Sequence, residues 1–355
     1  MIPIAAGEAA PEIFRPVLKR LSVDARTLYG ADAAIRPLAW QSRPFSTVLK
    51  LAVEGRNSQS PVCCFAKVFK PKDLPDALAH MRQRVVHEFD TTAAVHRALS
   101  GNGLFGTLRP VACYPDLLAM VTQEVKGSTL LHYLEQRLSW FPTHAAVQDA
   151  ERVVGRVGGW LRAFQTMAPG ADDVDMGALG AYVDVRLERL VTSGRSYVTA
   201  PVRHALLDHL ARLADAVPAP DRREVLVHAD LAPGNIIVHG DRITVLDFAM
   251  CGRGTRLHDL TRLALQVEMM AGKPRFRARV LASVAHALLT GFDASLRPTD
   301  PLYRLSSVVH RVNNLATTTL HPGRFPASLY SRHIKQMHER WLAEELRRPV
   351  RKPVS

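Results

Sequence analysis

Polar and apolar positions alternate in short runs through the first third of the chain and recur at helical spacing through most of the rest. Three β-prone runs, 34–40, 46–53 and 62–69, predict strands, and the polar stretch EGRNSQS at 54–60 separates the last two as a hairpin loop would. After Pro71 and Pro75, the segment 76–99 sets Leu78, Met81, Val85, Phe89 and Ala93 at helical spacing, and 100–103 ends it. Two more strand-like runs, 107–113 and 117–123, flank a turn at Tyr114, Pro115 and Asp116.

Past Gly127 the period changes. Long amphipathic stretches at 130–138, 145–167, 179–191 and 203–216 predict helices, with a loop rich in Ala, Pro, Gly and Asp at 168–175. Two short β-prone runs, 225–228 and 236–248, interrupt them, the second with a turn at Gly240-Asp241. Further helices are predicted at 257–270, 277–289, 301–319 and 331–347. The pattern is an α+β chain in which a small β-rich lobe precedes a larger, mostly helical one, and no internal repeat appears.

At 355 residues the chain has room for two lobes. With 47% hydrophobic and 22% charged residues it buries large cores, which excludes a disordered chain. Four cysteines, Cys63 and Cys64 adjacent and Cys113 and Cys251 alone, form no CxxC, so neither a disulfide framework nor a zinc site is expected. The N-terminus lacks a basic segment followed by a long apolar one, and the longest apolar stretch, 280–292, holds His286 and falls short of the roughly 20 residues a bilayer span needs. A cytoplasmic protein without a transmembrane segment is expected.

The net charge is +13, and residues 301–355 carry ten basic side chains against three acidic ones. Such an end either solvates the protein or meets an anionic surface. Aromatics are only 6% and no reader motif is visible, so nucleic acid is not an expected partner.

The densest chemistry lies in VLVHADLAPGNIIV at 225–238 and ITVLDFAM at 243–250. An apolar strand delivers His228, Asp230 and Asn235 in the pattern HxDxxxxN, and a second strand delivers Asp247. This set suits phosphoryl transfer: the carboxylate of Asp230 can orient an acceptor hydroxyl and take its proton, while Asn235 and Asp247 offer hard oxygens to Mg2+ on ATP.

These segments, with GRGTRLHDL at 252–260, resemble the aminoglycoside phosphotransferase and choline kinase family. The resemblance spans roughly 35–290 and implies a protein-kinase-like two-lobed fold acting with ATP and Mg2+ on a small-molecule hydroxyl acceptor. Residue by residue, Asp230 matches the catalytic Asp, Asn235 and Asp247 the metal ligands, His228 a histidine that shapes the catalytic loop, and Asp259 an aspartate that braces it. Such a kinase needs a strand lysine for the ATP phosphates and a helix glutamate to hold it, and Lys67 and Glu88 stand in that order. The run VTQEVKG at 121–127 resembles the hinge, where main-chain groups of Gln123 and Val125 would bond adenine. The implied division is an N-terminal lobe at 1–122, a hinge at 123–127, a helical lobe at 128–346 and a basic tail at 347–355.

Several positions depart from the protein-kinase pattern. The turn QSRPFS at 41–46 has no glycine; Ser42, Arg43 and Ser46 either supply side-chain donors to a phosphate or make a plain turn. Ala249 replaces the glycine after the metal aspartate and no APE segment follows, which argues against protein substrates. Polar candidates for the acceptor region are Arg253, Arg256, His258, Glu268, His310, Arg311, Asn313 and Asn314. The scarcity of acidic residues near the C-terminus favours a neutral or anionic acceptor such as a sugar or glycan, with an aminoglycoside or other antibiotic as the alternative and a nucleotide-binding pseudokinase scaffold as the non-enzymatic one.

Overall fold

The computed structural model describes residues 5–6, 10–55, 61–71, 76–168, 170–323 and 327–350, and the chain divides into two compact units. Unit 1 is 1–128 together with 237–251; unit 2 is 129–236 together with 252–355. The stretch 237–251, which the sequence pattern groups with the helices, therefore clusters with the strands. Parts of three expected segments, 56–60, 72–75 and 351–355, lie outside the described residues.

Unit 1 is built on an antiparallel sheet of β1 (Ala5–Ala6), β2 (Ala34–Ser42), β3 (Ser46–Glu54), β4 (Val62–Phe69), β6 (Pro110–Tyr114) and β7 (Ala119–Gln123), in the order β1-β2-β3-β4-β7-β6. Alternation gives each strand two faces. Leu49, Leu51 and Val53 of β3 and Cys64, Ala66 and Val68 of β4 pack against Phe14, Val17, Leu21 and Ala25. The last three belong to helix α1 (Arg15–Tyr29), which the sequence reading did not anticipate although its apolar positions recur every three or four residues.

On the other side Phe69, Leu118 and Met120 meet Val85 of helix α2 (Ala77–Ala98). The buried stripe of α2 is Val85, Glu88, Thr92 and Val95, so one of its core-facing positions carries a carboxylate.

The expected strand at 107–113 is two strands. β5 (Phe105–Thr107) leaves the main sheet and pairs in parallel with β11 (Arg242–Val245), the partner of β10 (Ile236–His239) in a sheet completed by β8 (Ser128–Thr129). Pro110 has no N–H to continue a ladder, and Arg109 O accepts from Gln123 N instead. At Gly127, φ is +133° and a Cβ would lie 2.5 Å from Val238 O, so no other residue fits this crossing without displacing backbone.

Unit 2 holds helices α3 (Leu130–Leu138), α4 (His144–Gln165), α5 (Met176–Ser193), α6 (Ala200–Asp215), α7 (His258–Met269), α8 (Ala278–Phe292), α9 (Pro301–Leu320) and α10 (Ala327–Glu345), with an antiparallel pair β9 (Val225–Val227) and β12 (Gly252–Gly254). Helix α9 buries residues on every side, from Leu302 to Thr319, and packs on α5, α6, α7 and α10. Helices α4 and α8 touch backbone to backbone: a Cβ on Gly291 would lie 2.0 Å from Gly155 O. The start of the basic C-terminal segment is anchored, because Arg304 donates to Glu345 Oε1 at 2.7 Å and to Pro349 O at 2.9 Å.

Candidate active site

In unit 1 the sheet's alternation decides where Lys67 points. Cys64, Ala66 and Val68 face α1, so Lys67, in register with Met120, faces α2. There its Nζ donates to Glu88 Oε1 and Oε2 at 2.9 and 3.1 Å and to Asp247 Oδ1 at 3.2 Å, and it lies 4.6 Å from the Phe69 ring centroid. Burial pushes the Glu88 carboxyl above its usual range, Lys67 pulls the other way, and Asp247 adds to the rise. Asp247 follows β11 in the left-handed region at φ +67°, a conformation Asp tolerates better than most residues, and its side chain is 40% exposed. One lysine thus holds a buried glutamate on one side and an accessible aspartate on the other.

In unit 2 strand β9 ends at Val227 and the chain turns sharply through Ala229, at φ +60°. A non-glycine residue there is strained, and Asp259 answers it. From the first turn of α7 its fully buried carboxylate accepts from His228 N at 2.6 Å and from Ala229 N at 2.9 Å. The buried His228 ring accepts from Asp230 N at 3.3 Å through Nδ1, and Asn235 Nδ2 donates to Asp230 O at 3.0 Å. That bond assigns the amide: its nitrogen faces the loop and its Oδ1 is left as a possible ligand atom.

The expected residues therefore gather as two sets, Lys67, Glu88 and Asp247 in unit 1 and His228, Asp230, Asn235 and Asp259 in unit 2. One partner was missed by the sequence reading: Arg262 Nη2 donates to Asp230 Oδ1 at 2.5 Å. Its signal was present, since Arg262 lies three residues beyond Asp259 and so on the same face of α7.

The family model described as phosphotransferase enzyme family (APH) matches residues 80–298, more than half of the chain. The chain belongs to this family. It is a phosphotransferase, a kinase with an alcohol group as acceptor.

Solved structures share its fold at low identity. A thermostable mutant of aminoglycoside phosphotransferase APH(4)-Ia, in ternary complex with ADP and hygromycin B, is 13% identical with a TM-score of 0.55, covering 91% of this chain and 98% of its own. Choline kinase from Cryptosporidium parvum Iowa II is 10% identical with a TM-score of 0.52, covering 92% and 95%. The streptomycin-ATP ternary complex of APH(2″)-IIa is 14% identical with a TM-score of 0.50, covering 86% and 90%. The phosphotransferase accordingly has the protein-kinase-like α+β fold. Among curated proteins none matches it significantly in sequence.

Other expected positions of the phosphotransferase are placed as follows. The 43–46 segment is a tight turn in which Arg43 N donates to Ser46 O at 2.8 Å; Ser42 Oγ accepts from Lys70 Nζ at 2.7 Å, and Ser46 is buried. The Gln123 N–H is spent on Arg109 O and that of Glu124 on Cys63 O, so of the two hinge residues Val125 is the one whose N–H has no partner among the described residues.

Several polar candidates are committed to structure. Arg256 joins Asp221 and Asp293 at 2.9 and 2.7 Å, Arg253 donates to Ala168 O, and Asn313 Oδ1 accepts from Tyr182 and Arg186. Asn314 donates to His310 O. Arg311 donates to Glu268 at 2.5 Å and lies 4.4 Å from the Trp341 ring centroid, and these three border a cavity of about 310 Å³. The half-buried ring of His258 and the buried ring of His310 meet edge to face at 4.7 Å. Burial pushes both below the usual histidine range, His310 to about 3.

Among the described residues no group of three or more His, Cys, Asp or Glu could hold a metal by itself, and no helix is long and apolar enough to cross a membrane.

Proposed function

We propose that this phosphotransferase transfers the γ-phosphoryl group of Mg-ATP to a hydroxyl of a neutral or anionic metabolite, such as a sugar. Lys67, steadied by Glu88, neutralises the ATP phosphates; Asp230 orients the acceptor hydroxyl; main-chain groups of the 123–127 segment receive the adenine. The acceptor oxygen forms a bond to the γ-phosphorus while the bond to the bridging oxygen breaks, its electron pair leaving with ADP. The hydroxyl proton passes to the Asp230 carboxylate and from there to solvent.

Each candidate ligand taken singly suits Mg2+, because the accessible carboxylate of Asp247 in unit 1 and the Oδ1 of Asn235 in unit 2 are hard oxygen donors. When bound, the ion offsets negative charge on the phosphate oxygens.

The observation that carries the choice of acceptor is charge pairing. Of the acidic residues expected to meet the acceptor, Asp230 pairs with Arg262 and Glu268 with Arg311. A polycation needs uncompensated carboxylates, and these are already matched by guanidinium groups.

ADP release from the purified protein, with Mg-ATP and a panel of sugars, amino alcohols and aminoglycosides, tests the reading. Turnover with a neutral or anionic hydroxyl compound is expected. Selective turnover of an aminoglycoside would overturn the acceptor class, and no metal-dependent turnover with any acceptor, water included, would return the chain to a nucleotide-binding scaffold.

A further inference from the structure

The backbone of Asp230 is held from two sides, its N–H by His228 Nδ1 and its carbonyl by Asn235 Nδ2. Neither contact fixes its side chain. Among the described residues the group that does so is Arg262, whose Nη2 lies 2.5 Å from Asp230 Oδ1.

Stability gives little reason for that contact. The pair is partly exposed, 26% for Arg262 and 42% for Asp230, and ion pairs so exposed contribute little to folding. Meanwhile Arg262 Nε is buried without a hydrogen-bond partner among the described residues, which is a cost. His258 and His310 are near enough to feel the guanidinium charge and offer no negative charge in return, and Glu268, the other acid farther along α7, is taken by Arg311. Asp259 and Arg262, three residues apart on α7, thus hold the same loop in two ways, one gripping its backbone and the other the carboxylate.

We infer that Arg262 is a positioning residue that fixes the Asp230 carboxylate in the rotamer that meets the acceptor hydroxyl. This rests on the role proposed for Asp230. It predicts that Arg262 matters to turnover only while Asp230 is an aspartate.

The test is a double-mutant cycle on the full chain, with Mg-ATP hydrolysis as the reaction and water as the acceptor, so that no metabolite need be known. Arg262→Met should lower kcat by about tenfold to a hundredfold, the scale expected when a reacting group is misplaced by about an ångström, and leave KM for ATP within about twofold. Arg262→Lys should recover part of the loss. In an Asp230→Asn background the same Arg262→Met change should cost less than about twofold.

An equal loss in both backgrounds, or a loss that appears in KM for ATP, would overturn the inference. Should Arg262→Met fail to fold, Arg262→Lys carries the same cycle. An Asp230→Asn variant as active as the parent would instead remove the role of Asp230 itself, so the two failures are distinguishable.

Discussion

Asp259 is buried completely and accepts two backbone hydrogen bonds, from His228 and Ala229, where the chain takes a left-handed turn. Replacing it with alanine leaves both donors without an acceptor in a site closed to water. Each orphaned donor costs about 1–3 kcal/mol, and the turn at Ala229 loses what offsets its own strain of about 1–2 kcal/mol. Because the loop can relax in part, Asp259→Ala should destabilise the protein by about 3–5 kcal/mol. Asp259→Asn keeps one acceptor oxygen and sets an NH2 against the second donor, so about half that loss is expected. Urea denaturation followed by tryptophan fluorescence measures the difference, and Mg-ATP turnover in the asparagine variant reports whether the loop still presents Asp230. Asp259→Ala within about 0.5 kcal/mol of the parent, the range of ordinary surface changes, would refute the bracing role.

Three further outcomes are expected. Asp247→Asn should weaken Mg-ATP binding by about tenfold or more while metal-free ATP binding shifts by less than about twofold, as measured by calorimetry; equal losses would remove Asp247 as a ligand. Because burial raises the Glu88 carboxyl in the folded state, its stabilising contribution is full below about 4.5 and is lost as pH rises through the folded value. Glu88→Gln should therefore gain stability relative to the parent between pH 4 and pH 7 in urea melts; a difference independent of pH would contradict this. His338 is buried with both ring nitrogens unpartnered among the described residues, and burial first, then Arg311, pushes it down to about 3. Its contribution is full above about 6.5 and lost as pH falls toward 3, so His338→Leu should flatten the fall in urea midpoint between about pH 7 and pH 5; an unchanged slope would show that the ring stays neutral without cost.

Much of this fold was legible because short-range pattern decides it. Helices α3 to α10 and strands β2 to β4 fall within a few residues of their periodic stretches. The departures have local causes. Helix α1 carries Val17, Leu21 and Ala25 at helical spacing, with Phe14 just ahead of it, but is cut by Lys19, Arg20, Asp24 and Arg26, so its short apolar stripe is easily read as a polar leader. Residues 107–113 look like one strand because alternation cannot reveal that Thr107 and Pro110 pair with different sheets. In α2 the apolar reading named Phe89 and Ala93, whereas the buried stripe runs through Glu88, which meets Lys67, and Thr92, whose hydroxyl donates to Glu88 O.

Candidates for the site could be named from the sequence where chemistry restricts the residue type, as at Asp230, Asn235 and Asp247. Arg262 could not, because an arginine on a helix face is ordinary until the loop it meets is folded. Ser42 and Ser46 illustrate the reverse: both are polar and well spaced, yet one is met by Lys70 and the other is buried.

The return of 237–251 to unit 1 has a consequence for how the protein is made. Emerging from the ribosome N-terminus first, the chain exposes β5 and the Lys67–Glu88 pair long before β11 and Asp247 exist. Until residue 251 is released, β5 lacks its parallel neighbour and Lys67 lacks one of its two carboxylates, while helices α3 to α6 are already available to fold. Neither unit is a continuous stretch of chain, so a fragment ending at the first unit boundary, residue 128, keeps the six-stranded sheet but leaves β5 without its parallel partner and Lys67 without Asp247. Dissection of this protein into working halves would have to carry the 237–251 hairpin across by permutation, and a nascent chain stalled before it would present an open strand edge to whatever else is being synthesised nearby.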